Sequence, residues 1–323
     1  MSPLWIFSFH KSLYYYLSIH VLPIFKYVYY FLSERRPVQD VEEQPLPSYT
    51  SSSKDMSHND PALPDPPNNG RLLIIGIFAK VYLVDEKTIR KLPRGQSQED
   101  LEPIVRESLI YNILGVHPRI AECISLGRDH YVDLKYYRFG DLASYCEKTE
   151  VTPCLLSKWF QQILEAIAVI HSFGVIHSDL ALRQFFVDDE LNLRLGDFNA
   201  SQCPGHPALS FEKASHCLPR DYDLPNTVAS DIFALGSTLY ELVAGKPPYG
   251  ELNVLESDNP ESIKEHIRRQ YGIDLVIEER YRRNEFPDVA GLQYGHIILG
   301  CWKGEICTAK QALDLFRQSR VIV

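Results

Sequence analysis

No two cysteines in this 323-residue chain are spaced C-x-x-C, and the seven present make an odd number. Cys123, Cys146, Cys154, Cys203, Cys217, Cys301 and Cys307 sit mostly in apolar stretches. Neither a disulfide framework nor a zinc site is expected, and free thiols in a reducing, cytoplasmic compartment fit better. An excess of basic residues is also missing: 33 Lys+Arg face 42 Asp+Glu, a net charge of -9. That balance excludes nucleic-acid recognition through a broad basic surface. It leaves room for a nucleotide, which needs only a few local cations and backbone N–H groups. No internal repeat is visible. The apolar N-terminus has no small-residue cleavage site, which speaks against a cleaved secretory peptide.

What is present falls into three stretches. Residues 1–32 hold eleven of the 37 aromatics and only Lys11 and Lys26 as formal charges. Residues 12–32 number 21, about the length of a helix that crosses a hydrocarbon core. Glu34, Arg35 and Arg36 follow, so an anchor here leaves the C-terminal bulk facing the cytosol. Pro23 and Lys26 interrupt the run, and a flexible N-terminus is the alternative. Residues 33–69 carry seven prolines, six serines and one aromatic, Tyr49. Such a stretch buries too little apolar surface to offset its ordering entropy and reads as a disordered linker. Residues 70–323 have the texture of one folded domain.

Within that domain, apolar runs at Leu72–Ile75, Val81–Val84 and Thr88–Leu92 predict strands of an antiparallel sheet. Asp100 is the expected cap of a helix through Ile104, Val105 and Leu109 to Leu114, with Pro103 in its first turn. Cys123–Gly127 and Tyr131–Leu134 read as further strands. Leu156, Trp159, Phe160, Ile163, Leu164, Ile167 and Ile170 then recur at helical spacing up to Gly174. A second apolar helix is predicted over Ser230–Ala244. A small β-rich lobe therefore precedes a larger helical one, an α+β arrangement.

After the long helix stand Val175-Ile176-His177-Ser178-Asp179-Leu180-Ala181-Leu182-Arg183-Gln184, and Gly196-Asp197-Phe198-Asn199 follow. Asp197 lies 18 residues beyond Asp179. These segments resemble the protein kinase family, whose catalytic loop reads H-R-D-x-x-x-x-N and whose metal site reads D-F-G. Asp231-Ile232-Phe233-Ala234-Leu235-Gly236, Gly245-Lys246-Pro247-Pro248-Tyr249 and Cys301-Trp302 match later landmarks of that family. The overall texture is similar to short kinase-like proteins of filamentous fungi. The same landmarks speak against small-molecule phosphotransferases that share only the H-x-D-x-x-x-x-N loop.

The resemblance implies a two-lobed kinase fold using ATP and Mg²⁺, acting on or binding another protein. Asp179 would orient the acceptor hydroxyl, and Arg183 would place a cation near the transferring phosphoryl group. Lys91 would position ATP phosphates, with Glu107 holding its rotamer. Gly76 and Val81 would cover the nucleotide, and Asp197 and Gln184 would ligate Mg²⁺ through oxygen. His177 is expected as a packed structural histidine. Asp231 is expected to brace the catalytic loop through backbone N–H groups, and Cys301 and Trp302 to be core. The D-L-A-L-R-Q loop is closer to the D-L-A-A-R-N form of tyrosine kinases than to that of serine/threonine kinases.

Several positions depart from the family. Ser178 replaces the arginine that pairs with a phosphorylated activation segment, so this control is expected to be absent. Gln184 stands for asparagine, with its amide oxygen one methylene further out. Asn199 stands for a glycine that needs left-handed backbone. Only Gly76 survives in the glycine-rich loop, and Ala79 and Lys80 put Cβ atoms where phosphates approach. Leu218-Pro219-Arg220 replaces A-P-E, and Glu305 follows Trp302, so the swap raises the hypothesis of an Arg220–Glu305 pair. Two function classes stay open: an active kinase, or a pseudokinase that serves as a nucleotide-binding or interaction module.

Overall fold

The computed structural model describes residues 70–127, 130–252 and 260–321. The N-terminal aromatic segment, including the candidate anchor at 12–32, and the Pro/Ser-rich stretch lie outside the described residues. No helix among the described residues is long and apolar enough to cross a membrane.

Five strands form the first lobe: β1 (Arg71–Ile75), β2 (Ala79–Leu83), β3 (Thr88–Pro93), β4 (Cys123–Leu126) and β5 (Val132–Lys135). They pair antiparallel in the order β1-β2-β3-β5-β4. The register sets Lys91 on central β3 directly across from Val81 on β2 and Val132 on β5. Helix α1 (Gln98–Leu114) packs on this sheet.

The cap of α1 is a correction. Ser97, not Asp100, precedes the helix, and its hydroxyl accepts the Asp100 N–H at 3.2 Å while donating to the Asp100 carboxylate at 2.6 Å. Both residue types cap well, and Ser97 satisfies the N3 donor and the N3 side chain together. Pro103 consequently falls in the second turn rather than the first, where it removes a bond to the Glu99 carbonyl. Burial of Ile104, Ile110 and Leu114 on the core face holds the helix across that gap.

The second lobe is built on α2 (Leu142–Lys148) and α3 (Pro153–Ser172). Thr152 caps α3, and Pro153 enters at its first position, where its missing N–H costs nothing. Trp159, Phe160, Ile163, Leu164, Ile167 and Ile170 are fully buried, as their spacing predicts. Each such side chain contributes about 1.5–3 kcal/mol of transfer free energy. A short ladder of β6 (Phe185–Val187) and β7 (Leu193–Leu195) follows, then α4 (Val228–Ala244), α5 (Pro260–Arg282), α6 (Gly295–Trp302) and α7 (Ala309–Val321).

Helix α4 opens on a Thr227/Ser230 capping box and closes on Gly245 at φ 69°. It packs closely on α6: a Cβ on Gly236 would lie 2.9 Å from Cys301 Cβ and 3.1 Å from the Ile298 carbonyl. Trp302 Nε1 donates to Ser237 Oγ at 3.0 Å across the same seam. Cys301 and Trp302 are buried, as expected.

Candidate active site

Central β3 delivers Lys91 into the space under α1. Its Nζ donates to both oxygens of Glu107, at 2.9 and 2.8 Å, and to Asp197 Oδ1 at 2.5 Å. Glu107 is fully buried and Lys91 nearly so, whereas the Asp197 side chain is 33% exposed. Burial opposes the lysine's charge, but the Asp197 and Glu107 carboxylates outweigh it and hold Lys91 above its ordinary value. Burial pushes the Asp197 carboxyl up, yet the Lys91 ammonium overcomes this and keeps it below the usual carboxylate range. Glu107 moves the other way: full burial raises it, and the neighbouring Asp197 charge adds to the rise against Lys91.

Asp197 adopts φ 61°, a left-handed conformation rare outside glycine. Left-handed backbone was expected two residues later. Instead, Asn199 keeps out of that region and donates Nδ2 to Asp197 Oδ1 at 2.9 Å. The amide that replaces the family's glycine thus orients the carboxylate from behind. Phe198 between them is fully buried, edge-on to Tyr111 of α1 and 5.5 Å from the His177 ring. This aromatic chain links α1 to the loop that carries His177 and Asp179.

Asp179 anchors a second group. Arg183 Nη2 donates to its Oδ1 at 2.5 Å, and Gln184 Nε2 donates to its Oδ2 at 2.7 Å and to its carbonyl at 3.0 Å. With its nitrogen turned to Asp179, the Gln184 amide oxygen faces away from that carboxylate. Asp231, buried in α4, accepts the backbone N–H groups of His177 at 2.7 Å and Ser178 at 3.0 Å, with His171 Nε2 at 2.9 Å. Burial raises this carboxyl, but the His171 contact and the Ser178 N–H bond outweigh it and hold Asp231 below its ordinary value. Asp231 braces the loop as expected, and His177 is a buried packing residue whose Nε2 meets the Gly196 carbonyl at 3.0 Å.

The candidate residues therefore gather into two groups, Lys91–Glu107–Asp197 and Asp179–Arg183–Gln184. Val81 lies beside Lys91 on the sheet. Gly76 sits at the turn from β1 to β2, its N–H donating to the Ala79 carbonyl at 2.8 Å and its carbonyl accepting from Arg94 at 3.2 Å. A Cβ on Gly76 would meet that Ala79 oxygen at 3.4 Å, an ordinary contact. No group of three or more His, Cys, Asp or Glu side chains arranged to hold a metal occurs among the described residues.

The hypothesised Arg220–Glu305 pair does not form. Arg220 Nη2 turns instead to Glu212 Oε2 at 3.3 Å and Asn226 Oδ1 at 2.5 Å. Glu305 lies exposed at the end of α6, with its N–H on the Gly300 carbonyl. Full burial pushes the Glu212 carboxyl up to about 7 against the nearby Arg220 charge. Sequence reading missed Glu212 and Asn226 because a pair spanning an irregular loop has no periodic signature. It also missed Arg106, which is buried beside Glu107 and could have been flagged as a long cation on the core side of a helix.

A β-sheet lobe and a helical lobe joined at an assembled Lys–Glu–Asp cluster define the two-lobed kinase architecture. The family model of the protein kinase domain matches residues 76–305, and the chain belongs to that family. It is 30% identical over 208 residues to serine/threonine protein kinase OSK3 of Oryza sativa subsp. indica, covering 58% of this chain and 40% of the rice protein. A carbon catabolite-derepressing protein kinase of Secale cereale is 30% identical over 209 residues, 57% of this chain and 41% of its own. CBL-interacting serine/threonine-protein kinase 13 of Arabidopsis thaliana is 28% identical over 209 residues, with 58% and 41% covered. The chain spans about 40% of the length of these relatives.

Proposed function

We propose that residues 70–323 form a catalytic domain that moves the γ-phosphate of MgATP to a protein hydroxyl. The observation that carries this reading is the triple engagement of Lys91 Nζ by Glu107 and Asp197. That cluster holds one carboxylate more than it has ammonium groups, and the surplus sits on Asp197, the partly exposed member. A hard cation bridging phosphate oxygens is the ligand that such a surplus suits. Asp197 and the amide oxygen of buried Gln184 would hold Mg²⁺, which when bound would neutralise phosphate charge. Lys91 would contact the phosphates from the other side.

Asp179 would accept or orient the proton of the acceptor hydroxyl, its carboxylate fixed by Arg183 and Gln184. Arg183 would lend the phosphoryl group a cation from that position. The relatives' names favour Ser or Thr acceptors, whereas the D-L-A-L-R-Q loop leans towards Tyr, and a protein hydroxyl is the acceptor chemistry common to both. The test uses the full chain with Mg²⁺, γ-labelled ATP and an unfolded acceptor rich in Ser, Thr and Tyr. Asp179→Asn should lower kcat by about 10²–10⁴ and leave the MgATP-induced rise in melting temperature in place. Nucleotide stabilisation with no Asp179-dependent transfer would overturn the catalytic reading.

A further inference from the structure

The activation segment, Ala200 to Tyr222, is held by hydrogen bonds to other parts of this chain. Ser178, at the position of the missing arginine, is fully buried, and its hydroxyl donates to the Ile176 carbonyl at 3.2 Å. No cation projects from it. A different cation reaches the segment from the opposite side. Arg106, one residue before Glu107 on α1, is 2% exposed, and its Nη1 donates to the Ser201 carbonyl at 2.7 Å and to the Pro207 carbonyl. Its Nη2 meets Glu102 at 3.1 Å, a partner that is itself 44% exposed.

A guanidinium buried to this degree needs acceptors on each donor it turns inward, and main-chain carbonyls supply them here. The two carbonyls flank a tight loop. Between them Cys203 and His206 exchange backbone bonds around Gly205 at φ 80°, and Gln202 exchanges bonds with Ile176 at 2.9 and 3.0 Å. Leu209 N–H then returns to the Ala200 carbonyl at 2.9 Å, and Ser201 Oγ donates to the His177 carbonyl at 2.9 Å.

We propose that Arg106 is a positioning residue that ties the activation segment to α1 through these carbonyls, so that Glu107 is set against Lys91 without a phosphate on the segment. The consequence for turnover rests on the kinase reading; the tie itself does not. The hydroxyls of the segment are Ser201, Ser210, Ser215 and Tyr222. Ser201 is buried and bonded, and the clamp uses none of the other three.

The experiment is hydrogen exchange of the nucleotide-free full chain, with and without phosphatase treatment, beside Arg106→Met and Arg106→Lys. Arg106→Met keeps the side chain's length but offers no donor. It should speed exchange of the segment amides, Gln202 and Leu209 among them, by about tenfold or more while amides of α3 and α6 stay as in the wild type. Arg106→Lys should restore most of that protection, since an ammonium still reaches carbonyl oxygens. Phosphatase treatment and a Ser210→Ala/Ser215→Ala double variant should change nothing. Wild-type exchange in Arg106→Met, or a segment that loosens on dephosphorylation, would overturn the proposal. Should Arg106→Met fail to fold, the lysine variant and the phosphatase arm still decide. Absence of phosphotransfer in every variant would count against the kinase reading and leave the exchange result standing.

Discussion

Two buried ion clusters in the same domain behave differently. Lys91, Glu107 and Asp197 set one ammonium between two carboxylates, and one of the two remains a third exposed. Glu212 and Arg220 set one carboxylate against one guanidinium, with side chains 0% and 11% exposed. The first cluster carries a surplus charge turned towards an opening. The second pairs one carboxylate with one guanidinium away from solvent. The arginine's other bonds go to Asn226, the Leu218 carbonyl and Cys217 Sγ, while its buried Nε finds no partner among the described residues. Ion pairing alone does not mark a site, because both clusters have it. A surplus charge with a path to solvent does, and the sealed pair reads as a strut under the end of the activation segment.

The largest expected effect separates the two directly. Lys91→Met removes the only cation between two carboxylates, one of them fully buried. Breaking such a cluster should cost about 3–5 kcal/mol in urea unfolding, together with loss of the MgATP-induced melting shift. Arg220→Met should cost less, about 1–3 kcal/mol near pH 6, because Glu212 already sits near neutrality and can take up a proton. The two variants should also part on nucleotide, with Arg220→Met keeping the melting shift. Equal costs and equal nucleotide behaviour would erase the distinction between site and strut.

The next effect is in pH dependence, where Glu212 of the sealed pair and Asp197 of the open cluster carry opposite signs. Glu212 is raised in the folded state from 4.5 to about 7. Between those values the folded chain holds a proton that the unfolded chain has released, so stability from this group is present at low pH and declines as pH climbs towards 7. Asp197 is depressed below 3.8 in the folded state. Its contribution is present above that value and is lost as pH falls through the folded one. The wild-type advantage in melting temperature over Glu212→Gln should therefore shrink from about pH 5 to about pH 8. The advantage over Asp197→Asn should shrink only on the acid side. A Glu212→Gln difference that grows with pH would mean that this carboxylate is held ionised.

These clusters also differ in how legible they were in the sequence. Lys91, Glu107, Asp179 and Asp197 each stand at a fixed offset on an element with a clear pattern: a β-branched strand, a capped helix, or the turns after the apolar helix α3. The resemblance to the protein kinase family carries over position by position along such elements, so these residues could be named in advance. Glu212 and Arg220 are eight residues apart in a loop whose path depends on bonds from Arg106, Asn226 and Ile176. No local rule encodes those bonds. The start of α1 was misplaced for a related reason, because Ser97 and Asp100 are both good caps and only the reciprocal bond between them chooses. Helices α2, α5, α6 and α7 went unread. In α5 the charges dominate the pattern, with Arg282–Glu278 and Arg283–Glu279 supporting an exposed face while Ile277 and Tyr281 are buried.

The smallest expected effect tests the partner choice of Arg220. Glu305 is exposed, and the bonds around it are made by its backbone: its N–H to Gly300, and its carbonyl from Gln311 at 3.2 Å. Glu305→Ala leaves both in place and should change unfolding free energy by no more than about 0.5 kcal/mol. A double-mutant cycle removes the remaining ambiguity. Arg220→Met with Glu305→Ala should be additive, because the groups share no contact. Arg220→Met with Glu212→Gln should be non-additive by about 0.5–3 kcal/mol, because Arg220 loses less once its carboxylate is neutral. Coupling to Glu305 in place of Glu212 would mean that the pair spans the activation segment and α6. The cluster would then be neither local nor sealed, and surplus charge would no longer separate the site from the strut.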